Sequence, residues 1–226
     1  MSIKIIKDDY KALKKETNQF LHMVLYAQKE YVYIQENQTK HKINSNNKRI
    51  LKATVLLLLY NIVEAVINKI LVEIIENINQ SELSYVNAVE NVQKAWIKLQ
   101  CQDSLRSCDR KNFSSNMHKY LDAIINENPM TFETIGFREL VSGNANSENI
   151  KKACFEYGLI ILRNCNALDI VKQKRNELAH GDAKFTEVGG NCTESELLNY
   201  RDAIYNHLDL ILKNTEKYLE NQKYRK

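Results

Sequence analysis

The chain has 226 residues, 32 Lys and Arg against 28 Asp and Glu, a formal net charge of +4 and 44% hydrophobic residues. That is an ordinary globular balance, long enough for one good-sized core and too apolar for a disordered chain, and its charge allows a polyanionic partner without demanding one. One proline and six glycines are too little punctuation for a turn-rich β architecture, so an all-α fold is expected.

Taken in chain order, a first helix is expected from Asp8 to about Glu36, because Leu13, Phe20, Val24, Ala27, Tyr31 and Ile34 recur at three- and four-residue steps. The Gln35 to Asn47 stretch is polar and aperiodic and reads as a connection. A second helix runs from about Ser45 to Ile78, apolar nearly all round between Leu51 and Leu71, and is therefore the expected central element. Ser81-Glu82-Leu83-Ser84 reads as the opening of a third, amphipathic through Val86, Val89, Val92, Trp96 and Leu99 as far as Cys101. A loop from Gln102 to Lys111 and a shorter helix from Ser114 to Asn126 follow, closed off by Asn128-Pro129. Gly136 to Ser147 is turn-rich. Then come a helix from Ser147 to Tyr157 stopped by Gly158, another from Asn166 to His180 stopped by Gly181, and a last one opened by the capping box Thr193-Glu194-Ser195-Glu196 and running towards Tyr218. The whole, 1–226, reads as one domain, in which 1–44 supply a helix and a polar connection and 45–226 the core.

Several classes of function are disfavoured. Five cysteines, an odd number without a C-x-x-C pair, fit reduced thiols in a cytoplasmic protein. The N-terminus has no signal-peptide pattern, and the most apolar run, Thr54 to Val63, is interrupted by Glu64 and short for a bilayer, so no membrane partner is expected. His22, His41, His118 and His207 lack metal-ligand spacing to cysteine or carboxylate, and no Gly-rich phosphate loop or nucleophile elbow occurs, so neither metal nor cofactor is expected.

The helix ending at Gly181 carries the chemistry. Leu168, Val171, Arg175 and Leu178 share one stripe, which sets an arginine in an apolar seam; a buried guanidinium calls for an ion pair, a ligand or a subunit interface. His180 closes the helix, where an imidazole could give or take a proton. The two are five residues apart, a rise of about 7.5 Å with side chains about 140° apart around the axis. On the central helix Asn61, Glu64 and Asn68 form a polar line, from which Glu64 is placed to pair with Arg175. Lys172, Lys174, Lys213, Lys217, Lys223, Arg225 and Lys226 would either guide a polyanion or form a solvated face. The loop from Gly181 to Cys192, with Asp182, Phe185 and Glu187, would border a cleft or be a packed connector anchored by Phe185.

Arg175-x4-His180 resembles the Arg-x4–6-His signature of the HEPN (higher eukaryotes and prokaryotes nucleotide-binding) superfamily. The likeness extends, in order, through Leu51-Lys52-Ala53, Leu58-Leu59-Tyr60-Asn61-Ile62-Val63-Glu64, Ser142-Gly143-Asn144, Arg175-Asn176-Glu177-Leu178-Ala179-His180-Gly181-Asp182 and Phe185-Thr186-Glu187-Val188-Gly189. The resemblance implies a small helical bundle that often forms a homodimer around a shared cleft, and a metal-independent endoribonuclease of toxin–antitoxin or phage-defence systems. It further implies that His180 is the acid/base and that Arg175 binds the phosphate. Asn176 is expected to orient the phosphate or the histidine, Glu64 to accompany the motif, and Lys172, Lys174 and Asp182 to meet the RNA substrate. An antitoxin or neighbouring-gene partner is a further expectation. The alternatives are a non-catalytic HEPN module that binds RNA, a nucleotide or a protein, and a structural helical adaptor.

Overall fold

The longest apolar run in the sequence organises the molecule. In the computed structural model, which describes residues 2–106, 110–132 and 143–226, eight helices and one small hairpin are arranged around it. They are α1 (Ile3–Ala27), β1 (Tyr33–Glu36), β2 (Thr39–Lys42), α2 (Ser45–Gln80), α3 (Glu90–Arg106), α4 (Arg110–Ile125), α5 (Ser147–Glu156), α6 (Asn166–His180), α7 (Phe185–Gly190) and α8 (Glu194–Glu220). The fold is all-α, as the scarcity of Gly and Pro implies.

The 36-residue α2 is the hub. Asn44 caps it, its side chain accepting the Asn47 N–H at 2.8 Å. Its buried side chains, among them Leu56, Leu59, Tyr60, Val63, Ile67, Ile70 and Ile74, face in several directions, and α1, α5, α6, α7 and α8 all pack on it. By length and composition α2 is also long enough and apolar enough to cross a membrane, since the apolar pattern resumes after Glu64, beyond the Thr54 to Val63 run. Here those side chains are the bundle core.

α1 ends at Ala27, well short of Glu36, and for a physical reason. Tyr31 sits at φ 60, a left-handed conformation that no α-helix accommodates. The carbonyls just past the helix are taken up from α2: Lys48 Nζ donates to Gln28 O at 3.1 Å and Lys29 O at 2.8 Å. The core face of α1 is Ile6, Tyr10, Thr17, Leu21, Val24 and Ala27; Tyr31 and Ile34, expected on that face, are exposed. In place of the end of the expected helix and the start of the expected connection, β1 and β2 pair antiparallel in the register Tyr33↔Lys42 to Glu36↔Thr39, turning at Asn37 with φ 53.

Ser81 closes α2 rather than opening the next helix: its hydroxyl donates to Ile78 O at 2.7 Å. Glu82 then turns left-handed at φ 49, and residues 84–88 make a turn flanked by two isolated bridges, Ser84 to Pro129 and Ala88 to Arg225, with Met130 N–H donating to Leu83 O at 2.8 Å and Val89 N–H to Tyr224 O at 3.0 Å. α3 therefore starts at Glu90 and continues to Arg106, while α4 begins at Arg110, so the loop expected over Gln102 to Lys111 is mostly helical. Most of the turn-rich stretch Gly136 to Ser147, up to Ser142, lies outside the described residues, as does Cys108.

Gly158 and Gly181 end α5 and α6 in left-handed conformations, φ 81 and 76, as expected. The Gly181 to Cys192 loop contains the short helix α7, and its anchors are the buried Val188 and Gly189, not Phe185, which is exposed. A Cβ on Gly189 would lie 1.8 Å from Arg49 O, so glycine is what lets α7 lie directly on the backbone of α2. The capping box of α8 is complete: Thr193 Oγ1 accepts the Glu196 N–H at 3.2 Å and Glu196 Oε2 accepts the Thr193 N–H at 2.7 Å.

Candidate active site

Three segments distant in sequence meet at the middle of α2. Tyr60 and Glu64, four residues apart, share one face of the helix, and the Tyr60 hydroxyl donates to Glu64 Oε1 at 3.2 Å. The chain entering α5 folds onto this pair. Ala145 N–H donates to Tyr60 Oη at 3.0 Å, and Gly143 N–H donates to the same Glu64 Oε1. Gly143 has φ +71 and nothing within 4 Å of a would-be Cβ, so glycine is required there by backbone conformation rather than space.

From the third segment, α6, Arg175 lies over Tyr60, its Cζ 4.8 Å from the ring centroid. Tyr60 is fully buried beneath this half-buried guanidinium. The seam expected from sequence is present, with Leu168 and Val171 at 0% exposure and Leu178 packed on the core. The expected partner differs: among the described residues Arg175 forms no ion pair with Glu64 or any other carboxylate, and Tyr60 stands between them. Geometry explains this. Glu64 is occupied by the Gly143 N–H and the phenol, while a guanidinium is flat, weakly hydrated and suited to an aromatic face.

Asn176 is tied to the arginine, its Oδ1 accepting from Arg175 Nη1 at 3.2 Å. His180 is the last residue of α6, exposed, and its imidazole has no hydrogen-bond partner among the described residues. Its main chain is ordered by the turn that follows, in which Ala183 N–H reaches back to Glu177 O at 3.2 Å. Of the remaining candidates, Lys172 and Lys174 are half-buried and Asp182 is exposed. Lys174 acts electrostatically on Cys192 and Glu196 at the start of α8. Asn61 is exposed, and Asn68, a turn further along α2 from Glu64, has a buried Oδ1 with no hydrogen-bond partner among the described residues.

The electrostatics of the phenol follow from its neighbours. Burial pushes Tyr60 up to about 12, the Glu64 charge adds to the rise, and the Ala145 N–H and the Arg175 guanidinium oppose it. Tyr60 is therefore a neutral donor to Glu64 and a neutral platform for Arg175 at physiological pH. No role for Tyr60 follows from composition or periodicity, since a tyrosine on an apolar helix reads as core; the Tyr60/Glu64 spacing of one helical turn is the signal that would have found it. Among the described residues no three His, Cys, Asp or Glu side chains gather closely enough to hold a metal ion.

The arrangement offers a cation on a rigid platform, a titratable imidazole at the adjacent helix end, and a carboxylate that ties α2 to the chain before α5. A family model described as HEPN_MAE_28990-like HEPN matches residues 8–224. The chain belongs to that HEPN family, and so to a nucleotide-binding, ribonuclease-like superfamily. No curated protein and no solved structure matches it.

Proposed function

We propose that this protein is a metal-independent endoribonuclease with Arg175 and His180 at its centre. The observation that carries the reading is the unpaired state of Arg175. Its guanidinium is half-buried, held by Tyr60 and Asn176, and without a carboxylate among the described residues, so its full charge is available to a phosphate. A structural arginine at such a position ordinarily has an acidic partner, because an uncompensated charge in a seam is costly.

In the reaction, the 2′-oxygen bonds to the adjacent phosphorus and the bond from phosphorus to the 5′-oxygen breaks. His180 takes the 2′-hydroxyl proton, and an imidazolium, on the same or a second copy of the chain, delivers a proton to the departing 5′-oxygen. Arg175 neutralises the charge that builds on the phosphoryl oxygens, with Asn176 and Tyr60 fixing its direction and Glu64 fixing Tyr60. Lys172, Lys174 and Asp182 would border the RNA. The products are a 2′,3′-cyclic phosphate and a 5′-hydroxyl. The exposure of His180 suits a homodimer whose two helix ends share one cleft, in a cytoplasmic toxin–antitoxin or phage-defence effector restrained by a neighbouring-gene partner.

The test is incubation of purified protein with mixed RNA in EDTA beside His180→Ala and Arg175→Ala. Cleavage by the parent chain alone, with DNA left intact, is the expected result. Equal cleavage by all three proteins, or efficient cleavage of DNA, rules the mechanism out.

A further inference from the structure

The hairpin contributes little to the core, yet it, the turn before it and the end of α1 together concentrate exposed aromatic rings. Tyr26 is 57% exposed, Tyr31 72% and Tyr33 44%, and all three border one shallow concavity of about 330 Å³. Grouped aromatic exposure of this kind marks a contact surface rather than the scattered apolar residues any protein shows. The pairing register puts Tyr33 opposite Lys42 and Gln35 opposite Lys40, so these four side chains share one face of the ribbon. Lys29, Gln35 and Lys40 line the same concavity, whose one carboxylate is Glu30.

The lysines here differ from those elsewhere on the surface. Along α1, Lys7 is paired with Glu216 at 2.5 Å, Lys11 with Asp8 at 3.2 Å and Lys14 with Asp209 at 3.3 Å, so these three charges are already compensated. Lys29, Lys40 and Lys42 form no ion pair with a described carboxylate. Instead Lys29 Nζ lies 4.9 Å from the Tyr26 ring centroid and Lys42 Nζ 5.7 Å from that of Tyr31. Tyr31 is moreover at φ 60, a left-handed conformation uncommon for a residue with a Cβ, and its ring is exposed.

We propose that this face binds single-stranded RNA, with unpaired bases stacked on Tyr26, Tyr31 and Tyr33 and the phosphates met by Lys29, Lys40 and Lys42. The charge complements a phosphodiester chain, and rings beside free ammonium groups are the combination that holds single strands without reading their sequence. That the strand is RNA rests on the function proposed above. The hairpin precedes α2, and Tyr60 lies about 24 Å along that helix from Asn44, so the surface would hold the substrate outside the cleavage site.

The experiment titrates the intact chain against a fluorescent 2′-O-methylated oligouridylate, which cannot undergo 2′-hydroxyl attack, and reads anisotropy. Tyr31→Ala/Tyr33→Ala is expected to weaken binding roughly tenfold or more, and Tyr31→Phe/Tyr33→Phe, which keeps the rings, to preserve it. Lys40→Ala/Lys42→Ala should lower the slope of log affinity against log salt by about 1.4. No binding by the parent chain, an alanine pair within about twofold of the parent, or equal loss in the phenylalanine pair overturns the proposal. Binding through the hairpin by a chain that never cleaves RNA would sink the catalytic reading and leave this one standing. Cleavage with hairpin variants that bind normally would do the reverse.

Discussion

The guanidinium of Arg175 rests on the ring of Tyr60, 4.8 Å from centroid to Cζ, while the hydroxyl of the same tyrosine donates to Glu64 at 3.2 Å. One side chain thus does two separable jobs. Its ring positions a cation on α6, and its hydroxyl joins α2 to the segment entering α5. Glu64 and Arg175 are linked through Tyr60 without touching, and among the described residues no carboxylate pairs with Arg175.

Substitution separates the two jobs. Tyr60→Phe keeps the platform but leaves the buried Ala145 N–H without its acceptor, and is expected to lower stability by about 1–3 kcal/mol in urea unfolding. Tyr60→Leu also removes the cation–ring contact, which contributes about 0.5–2 kcal/mol, so RNA cleavage should fall a further ~2–30-fold below that of the phenylalanine variant. Equal cleavage by the two variants would show that the ring does not position Arg175.

Gly143 and Glu64 give a second test. Gly143→Ala has open space for its methyl group but must hold φ near +71, at a cost of about 1–2 kcal/mol. Glu64→Gln keeps an oxygen for the Gly143 N–H and the phenol, whereas Glu64→Ala removes it, so unfolding midpoints should follow the order parent, Gln, Ala. An alanine variant as stable as the parent would mean that the strap from Gly143 to α2 contributes nothing.

Adjacent glycines in α7 should behave oppositely. A methyl group on Gly189 would meet the backbone carbonyl of Arg49 at 1.8 Å, which neither chain can relieve without moving α7 off α2. Gly189→Ala should therefore cost at least ~3 kcal/mol, the upper end for overpacking. On Gly190 the nearest atom would be Arg49 Cδ at 3.5 Å, an ordinary contact on a flexible side chain, and Gly190→Ala should stay within about 0.5 kcal/mol of the parent. Thermal melts of the pair decide it; similar losses would contradict the geometry.

What could be read from sequence divides along physical lines. α6 and α8 were legible because periodicity coincides with local end signals, Gly181 and the Thr193 box, and α2 because an apolar run of that length demands burial on every side. The hairpin was not, because β2 buries neither face and leaves no alternation to detect. Ser81 reads as a start because a hydroxyl that caps one helix looks the same as one that closes another; the bridges from Ser84 to Pro129 and from Ala88 to Arg225, both far along the chain, hold the following residues out of a helix. In the site, Arg175 and His180 are visible by motif, whereas the link through Tyr60 depends on Gly143 and Ala145 arriving from a segment whose approach no local pattern encodes.

A last prediction concerns pH. His207 is buried on α8, and burial lowers its affinity for a proton, Lys151 lowers it further, and Asp169, whose carboxylate accepts the Ser147 N–H at 2.8 Å, opposes both. With the folded value below the unfolded one, the unfolded chain binds the extra proton first. Stability is therefore complete above about pH 6.5, falls as the pH drops through that value, and levels off once the folded imidazole is itself protonated. His207→Gln cannot take up the proton, so the difference in denaturation midpoint between parent and variant should shift against the parent between about pH 7.5 and pH 5.5. Carboxylates elsewhere affect both proteins alike and cancel in that difference. A difference that stays constant over the interval would show that His207 is not buried in its neutral form.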